Sequence, residues 1–152
     1  MAGPGGEAGA GDDPFDLERF VRAQDGRGTY RRAVEELRRG HKTGHWMWFV
    51  FPQIAGLGHS PTSRTYAISS LEEARAYLRH EVLGPRLLEC AGIIAGQREG
   101  LGAEQIFGTV DAQKLHSSMT LFQRAVPAEP LFGLVLDRYF AGRPDPATDQ
   151  RT

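Results

Sequence analysis

The amino-acid sequence predicts a mainly α fold, a single irregular multi-helical domain. Apolar residues recur three and four positions apart in several segments, which is the spacing of one helix face. No stretch outside 46–51 has a persuasive strand pattern, because alternating β-branched residues are missing and valines are few. The many internal glycines favour short helices at varied angles over a regular bundle of long helices.

The first two helices are marked by residues that suit helix ends. Asp13 can cap the free amides of a helix start, and Pro14 suits the first helical position. Thr29 can cap the next helix, and Gly40 is a fitting terminator. Arginines on the other face of this second helix are typical of a solvated surface, with an anion-binding patch as the alternative.

Four further helices follow along the chain. The third begins at Ser70, where Glu73 three residues later completes a capping box. The fourth begins after Gly84–Pro85 and carries a wide apolar stripe, which indicates a mostly buried helix. Asp111 can cap the fifth, and the last begins near Glu129.

Composition divides the chain into one domain and two short ends. We expect a disordered Gly/Ala-rich tail over 1–11, because this segment can bury little apolar area. The single helical domain is expected over 12–142, and a loose C-terminal tail over 143–152. Cys90 is the only cysteine, so an intrachain disulfide is impossible.

Charge and hydropathy exclude several classes of partner. Lys and Arg number 18 against 19 Asp and Glu, and the basic excess of a nucleic-acid-binding protein is absent. No apolar run approaches the roughly 20 residues of a membrane span, and the N-terminus is unlike a signal peptide. We therefore expect a cytoplasmic protein that binds neither nucleic acid nor membrane, and nothing in the sequence calls for a cofactor.

The segment from His41 to Gln53 is the most unusual part of the sequence. It contains both tryptophans, Trp46 and Trp48, within a run of aromatic residues that ends at a proline. The indole N–H of each tryptophan needs an acceptor when it is buried. A glycine-rich loop that ends at Ser60 follows directly.

This aromatic segment has three interpretations. The aromatic residues can simply belong to the core, with the glycines forming turns. Alternatively, Trp46 and Trp48 form the walls of a pocket that stacks a planar ring, while Gln53 and Ser60 orient the ligand by hydrogen bonds. In the third interpretation the segment is a partner-binding surface, where tryptophan is enriched. For the pocket, His45 joins the candidate ligand-binding residues.

A metal site in the same segment is not predicted. His41 and His45 are four apart, which is the spacing of two ligands on one helix face. However, Gly44 disfavours a helix here, and the chain has no cysteine pair to complete a site.

A second polar segment runs from Asp111 to Thr120. Lys114 and Ser118 are four apart and share a helix face, with Ser117 beside them. A lysine near a helix N-terminus opposes the helix dipole, unless amides, lysine and hydroxyls together bind an anion there. The alternative is a capping aspartate with an exposed Asp111–Lys114 ion pair, which is common and weak.

Long motifs run through the chain from the first predicted helix onward. They are Asp13-Pro14-Phe15 with Arg19-Phe20, the string His45 to Gln53, Glu73-Ala74 with Tyr77-Leu78, and Ser117 to Phe122. Together they resemble the bacterial family called domain of unknown function 1810, over nearly all of residues 12–142. The resemblance implies a mainly helical fold and brings no settled activity. Family members are sometimes labelled calpastatin, but such inhibitors are long, repetitive and disordered, unlike this chain.

The leading hypothesis is a pocket for a small molecule where the two unusual segments meet. Its ligand would be nucleotide-like, with an aromatic wall for the ring and Lys114, Ser117 and Ser118 for an anionic group. If the protein is a hydrolase of a glycosidic or phosphate bond, Asp111 is the candidate acid/base and Lys114 the charge stabiliser. The alternative is a non-catalytic helical interaction module with the tryptophans on its surface.

Overall fold

The fold, as described over residues 13–152 by a computed structural model, is built from helices of very different length. Their bounds are α1 Glu18–Asp25, α2 Thr29–Arg39, α3 Met47–Val50, α4 Pro61–Thr65, α5 Leu71–Arg79, α6 Leu83–Ala95, α7 Ala103–Ala125, α8 Pro130–Phe140 and α9 Pro146–Arg151. A short 3₁₀ turn, Gly26–Gly28, joins the first two. Residues 13–152 contain no β-strand, only an isolated parallel bridge between Ile54 and Ile68. The mainly α prediction is thus confirmed, while the predicted tail over 1–11 lies outside the described residues.

The Ser70 half of the predicted capping box at α5 is formed, whereas α1 begins at Glu18 instead of Pro14, so Asp13 is not its N-cap. The Asp13 carboxylate accepts from the backbone N–H groups of Leu17 (2.7 Å) and Glu18 (3.1 Å), at the start of α1. At α5, Ser70 Oγ accepts from the N–H of Glu73 at 3.1 Å. These side chains satisfy amides that would otherwise lack an acceptor within the helix.

The core is built around α7, which packs against α5, α8 and α9. Tyr77 of α5 lies between Phe20 and Phe122, with ring centroids 5.1 Å and 5.4 Å away. All three rings are fully buried. Aromatic contacts of this kind add to the area that the rings bury, and they fix α1 and α5 against the central helix.

The strand-like pattern over 46–51 corresponds to a helix. Trp46, Met47, Val50 and Phe51 are all buried, and these positions follow the helical period rather than an alternation. Phe51 precedes a proline, which disfavours continued helix and ends α3 after one turn. Trp46 therefore points into the core from the helix start.

The fifth predicted helix begins earlier than Asp111. Helix α7 starts at Ala103 and is broken at Gly108, which has φ 80° and ψ 166°. A left-handed φ of this kind suits glycine because it has no Cβ. Asp111 therefore lies just inside the second segment of α7 instead of capping it, and its carboxylate is free to pair with lysines.

The C-terminal segment differs from the loose end expected over 143–152. Residues Pro146–Arg151 form α9, whose start is capped by Asp145 through the N–H of Thr148 at 3.1 Å. Arg124 of α7 binds Asp149 through two nitrogens, at 2.7 Å and 2.9 Å. Asp145 followed by Pro146 is the same start signal as Asp13-Pro14, and it fixes this segment against α7.

Candidate functional site

The two segments that the sequence singles out meet in the structure. Trp48 lies on α3 and Lys114 on α7, and the Lys114 Nζ is 4.5 Å from the centroid of the Trp48 ring. The same Nζ lies 3.6 Å from Asp111 Oδ1, one helical turn away. The ammonium group is thus held between an aromatic face and a carboxylate, a partly desolvated arrangement in which a cation–π contact is worth about 0.5–2 kcal/mol.

A second lysine binds the other oxygen of the same carboxylate. Lys42 Nζ lies 2.6 Å from Asp111 Oδ2, and the Lys42 side chain is only 6% exposed. This ammonium also contacts the Gly44 carbonyl and lies 4.9 Å from the Trp46 ring centroid. A buried ammonium needs such partners because leaving it unpaired is costly. Two lysines share one carboxylate, so the cluster Lys42–Asp111–Lys114 carries a net positive charge.

The loop that carries Lys42 is held by Glu36 of α2. Glu36 Oε1 accepts from the backbone N–H groups of Thr43 (2.8 Å) and Gly44 (2.9 Å) and from Trp46 Nε1 (3.0 Å). Burial alone would raise the pKa of Glu36, but these hydrogen bonds to its charged form outweigh burial and lower the pKa. The buried indole N–H thus has its acceptor, and the loop has a fixed shape.

An open groove of about 980 Å³ lies beside the lysine cluster. Lys114 and Ser117 of α7 form part of its lining, together with Gln53 and the exposed Val110. The rest of the lining is largely apolar and includes Leu57, Ala112, Tyr139, Phe140 and Ala147. A mostly apolar lining with a few polar groups is the usual composition of a small-molecule site.

A smaller cavity of about 140 Å³, here called the side cavity, lies next to the groove. Gln53, Gly58 and Ser63 line both spaces, so the two adjoin at these residues. Trp48 and Tyr66 line the side cavity alone. The tryptophan that holds Lys114 therefore also forms a wall of this second space.

The far wall of the groove depends on a buried carboxylate, Asp145. Its oxygens accept from Gln113 Nε2 at 3.0 Å and Thr148 Oγ1 at 2.7 Å, and Ser117 Oγ lies 3.1 Å away. Burial raises the pKa of Asp145, but the hydrogen bonds from Thr148, Gln113 and Ser117 outweigh it and lower the pKa. Because these donors already bind the carboxylate, Asp145 stabilises the wall of the groove and is not free to bind a cation.

Four of the predicted ligand-binding residues do not line the groove or the side cavity. Trp46 is 1% exposed, and its indole N–H is hydrogen-bonded to Glu36, so it is a core residue and does not form a wall of a pocket. Ser118 is fully buried on the inner face of α7, where its Oγ has no hydrogen-bond partner among the described residues. Ser60 caps α4 by accepting from the N–H of Ser63 at 3.1 Å, and His45 is exposed outside both spaces.

The remaining predicted residues do come together. Trp48, Gln53, Lys114 and Ser117 line the groove or the side cavity, and Asp111 holds Lys114 from behind. The Ser117 hydroxyl, however, lies within 3.1 Å of Asp145 Oδ2 and 3.2 Å of the Gln113 carbonyl, so it is already engaged. The exposed patch that an interaction module would need from both tryptophans is not formed, since Trp46 is buried.

Three residues of the site were not expected from the sequence. Glu36 lies three positions after Ala33 on the apolar face of α2, and this spacing marks it as buried. Asp145 precedes a proline, and this helix-start signal was considered only at Asp13-Pro14. Lys42 lies in a non-periodic loop, and no local pattern indicates its long-range pairing with Asp111.

Three further features of the described residues concern the cysteine, metal ligands and helix hydropathy. Burial raises the pKa of the Cys90 thiol to about 12, so this residue is not a nucleophile at neutral pH. Among residues 13–152, no three His, Cys, Asp or Glu side chains lie close enough together to hold a metal ion. None of the described helices is long and apolar enough to cross a membrane.

The fold and the site together define a small helical protein with a lysine on a groove and a tryptophan on the adjoining side cavity. A sequence model described as "Protein of unknown function (DUF1810)" matches residues 14–152, and the chain belongs to this family. The crystal structure of the conserved hypothetical protein Rv1873 from Mycobacterium tuberculosis is similar, with 56% sequence identity and a TM-score of 0.87. The match covers 91% of this chain and 96% of that chain. No curated protein matches.

Proposed function

We propose that the groove binds a small, nucleotide-like anionic ligand, whose anionic group is received by Lys114. The observation that carries this proposal is the position of the Lys114 ammonium, 4.5 Å from the Trp48 ring centroid and 3.6 Å from Asp111 Oδ1. An ammonium that is already held loses little side-chain entropy when a ligand binds, so its charge contributes more to affinity.

The shape and charge of the groove support a ligand of this class. Its volume of about 980 Å³ falls within the range of small-molecule sites. Asp145, which also lines it, is occupied by hydrogen bonds, and Asp111 is shared by two lysines. Glu104, an exposed carboxylate, also lines the groove. The positive charge is therefore local to Lys114, beside apolar walls, which suits a molecule with an apolar or planar body and an anionic end.

Hydrolysis of a glycosidic or phosphate bond is the finer form of this proposal. Asp111 would act as acid/base and Lys114 would stabilise developing negative charge. The 2.6 Å contact of Lys42 with Asp111 favours instead a positioning role, because the carboxylate is already bound by two lysines. We therefore propose binding as the primary function, with Asp111 as a positioning residue. Turnover that disappears in Asp111→Asn while ligand affinity is retained would support the catalytic role.

The alternative function, a non-catalytic interaction module, is favoured by a different observation. Val110 is 69% exposed and lines the groove, so it offers an apolar contact to a partner protein. A module of this kind would not respond to metabolites in a thermal-shift screen, whereas a ligand-binding groove would.

The experiment that tests the proposal is a thermal-shift screen followed by calorimetry. The panel contains the ribonucleoside 5′-monophosphates, ADP-ribose, ribose 5-phosphate and inorganic phosphate, because a tight ligand raises the melting temperature by mass action. Lys114→Ala should weaken binding of the best ligand by about 10- to 100-fold, since a charge-assisted hydrogen bond is lost. The unfolding free energy should change by less than about 1 kcal/mol.

The matched control is Arg143→Ala, which removes one positive charge from an exposed residue outside the groove. This variant should bind the ligand as the parent does. A panel in which no compound raises the melting temperature, or a Lys114→Ala variant with unchanged affinity, would overturn the proposal.

A further inference from the structure

The side cavity has the size of a single aromatic ring. Its volume is about 140 Å³, and an apolar cavity of about 150 Å³ is large enough to bind benzene. It lies between α3, the loop after α3 and α4, and its lining includes Trp48, Ile54, Tyr66 and Ala67. A planar ring is therefore the largest rigid group that this space can enclose.

The two aromatic residues of the side cavity are held in place from behind. The Tyr66 ring lies 5.3 Å from Phe49 and 5.8 Å from Phe20, centroid to centroid. The Trp48 ring is held by the Lys114 ammonium at 4.5 Å. Fixed aromatic walls favour a flat ligand group, because little side-chain freedom is lost on stacking.

Polar groups at the side cavity are free to recognise the edge of a ring. The Gln53 carbonyl accepts from the N–H of Ile68 at 2.8 Å, so the backbone is fixed. The Gln53 side-chain amide and the Arg64 guanidinium, by contrast, make no hydrogen bond or ion pair within residues 13–152. An amide both donates and accepts, and thus matches the mixed edge of a heteroaromatic ring.

The side cavity opens toward the lysine of the groove. Gln53, Gly58 and Ser63 border both spaces, and Lys114 of the groove stands over the Trp48 ring of the side cavity. A Cβ at Gly58 would lie 2.5 Å from Ser63 Oγ, so glycine allows the close approach of loop and helix that forms this border. A ring in the side cavity would therefore direct its substituent toward Lys114.

From this arrangement we infer that the side cavity binds the heteroaromatic ring of a ligand whose anionic group lies at Lys114 in the groove. The inference rests on the proposed function and adds to it the ligand class, a heteroaromatic ring linked to an anion. Ring and anion are recognised separately, by Trp48, Tyr66 and Gln53 on one side and by Lys114 on the other.

The test compares ligands with and without the ring. Each ribonucleoside 5′-monophosphate and ribose 5-phosphate are titrated into the full-length protein by calorimetry. The best nucleotide should bind at least about tenfold more tightly than ribose 5-phosphate, in line with base–aromatic stacking in other proteins. Ala67→Leu, which fills the side cavity, should reduce nucleotide affinity to that of ribose 5-phosphate and leave the affinity for ribose 5-phosphate unchanged.

Ala128→Leu is the matched control, because Ala128 is exposed and lines a separate surface depression. If circular dichroism shows that Ala67→Leu does not fold, Tyr66→Leu serves as the second variant, because Tyr66 lines the side cavity but does not hold Lys114, and it should abolish the ring preference in the same way. Equal affinity for nucleotides and ribose 5-phosphate, or full nucleotide affinity in Ala67→Leu, overturns the inference alone. Failure of every probe to bind overturns the proposed function as well.

Discussion

Trp46 and Trp48 are two residues apart in the sequence and have opposite surroundings. Trp46 is 1% exposed, and its indole N–H is bound by Glu36 at 3.0 Å. Trp48 is only half-buried and borders the side cavity. Each ring carries a lysine ammonium, from Lys42 at 4.9 Å and Lys114 at 4.5 Å. The same residue type thus builds the core at one position and lines a cavity at the other.

The difference arises from one turn of helix. Residues two apart on a helix point in directions about 200° apart, so the start of α3 sends one tryptophan inward and the other outward. A strand would have placed both on the same face. The helical turn between Trp46 and Phe51 is therefore what separates the structural indole from the accessible one.

The largest expected effect is the difference in unfolding free energy between variants of the two tryptophans. Trp46→Ala should lower the unfolding free energy by about 3–5 kcal/mol, because it leaves a cavity in the core. Trp48→Ala should lower it by about 1–2 kcal/mol, since less apolar area is buried there. Urea denaturation of both variants measures the two values, and equal losses would contradict the assignment of Trp48 to the wall of the side cavity.

An intermediate effect distinguishes the two lysines. Lys42→Met removes the buried partner at 2.6 Å from Asp111 and should cost about 2 kcal/mol of unfolding free energy. Lys114→Met removes a longer, more exposed ion pair and should cost less than about 1 kcal/mol. Urea denaturation again gives both values. A larger cost for Lys114 than for Lys42 would mean that Lys114 is held for stability rather than for a ligand.

The smallest effect concerns pH and the acceptor of the buried indole. The folded state lowers the pKa of Glu36, so this carboxylate stabilises the protein above its unfolded pKa of about 4.3. The stabilisation is lost as the pH falls through the lower folded pKa. Glu36→Gln should be less stable than the parent near neutral pH, and the difference should shrink under acid conditions. Exposed Glu35, replaced in the same way, should show no such dependence in urea denaturation across the acid range.

Local patterns predicted much of the fold. The start of α5 carries its own signal, and Ser70 Oγ accepts from the N–H of Glu73 as expected. Asp13-Pro14 precedes α1, which begins only at Glu18, although the Asp13 carboxylate still accepts from the N–H groups of Leu17 and Glu18. Helix α3 was not predicted from the sequence, because a single turn between Trp46 and a proline is too short to show a helical period of apolar residues. The start of α7 was misplaced because the break at Gly108 separates a short first segment from the periodic part of the helix.

The candidate site was predictable in its two segments but not in its contacts. Trp48, Gln53 and Lys114 stood out by residue type, and the fold brings them to adjoining spaces. The ion pair of Lys42 with Asp111 joins residues far apart in the chain, and no local period encodes such a contact. Ser117 and Ser118 are both buried, but the Ser117 hydroxyl bonds to Asp145, whereas the Ser118 hydroxyl has no partner among the described residues. Residue type alone does not distinguish the two.

The packing of α9 against α7 determines what a C-terminal truncation of this protein would do to the groove. Deletion of 143–152 would remove Asp145, whose carboxylate accepts from Gln113 and Ser117 and whose backbone N–H donates to Thr120 Oγ1. Ser117 and Thr120 would keep only the Gln113 and His116 carbonyls as partners, and the groove would lose a wall. Failure of a truncated protein to bind a ligand would therefore indicate a disrupted groove and would say nothing about the ligand of the full-length protein.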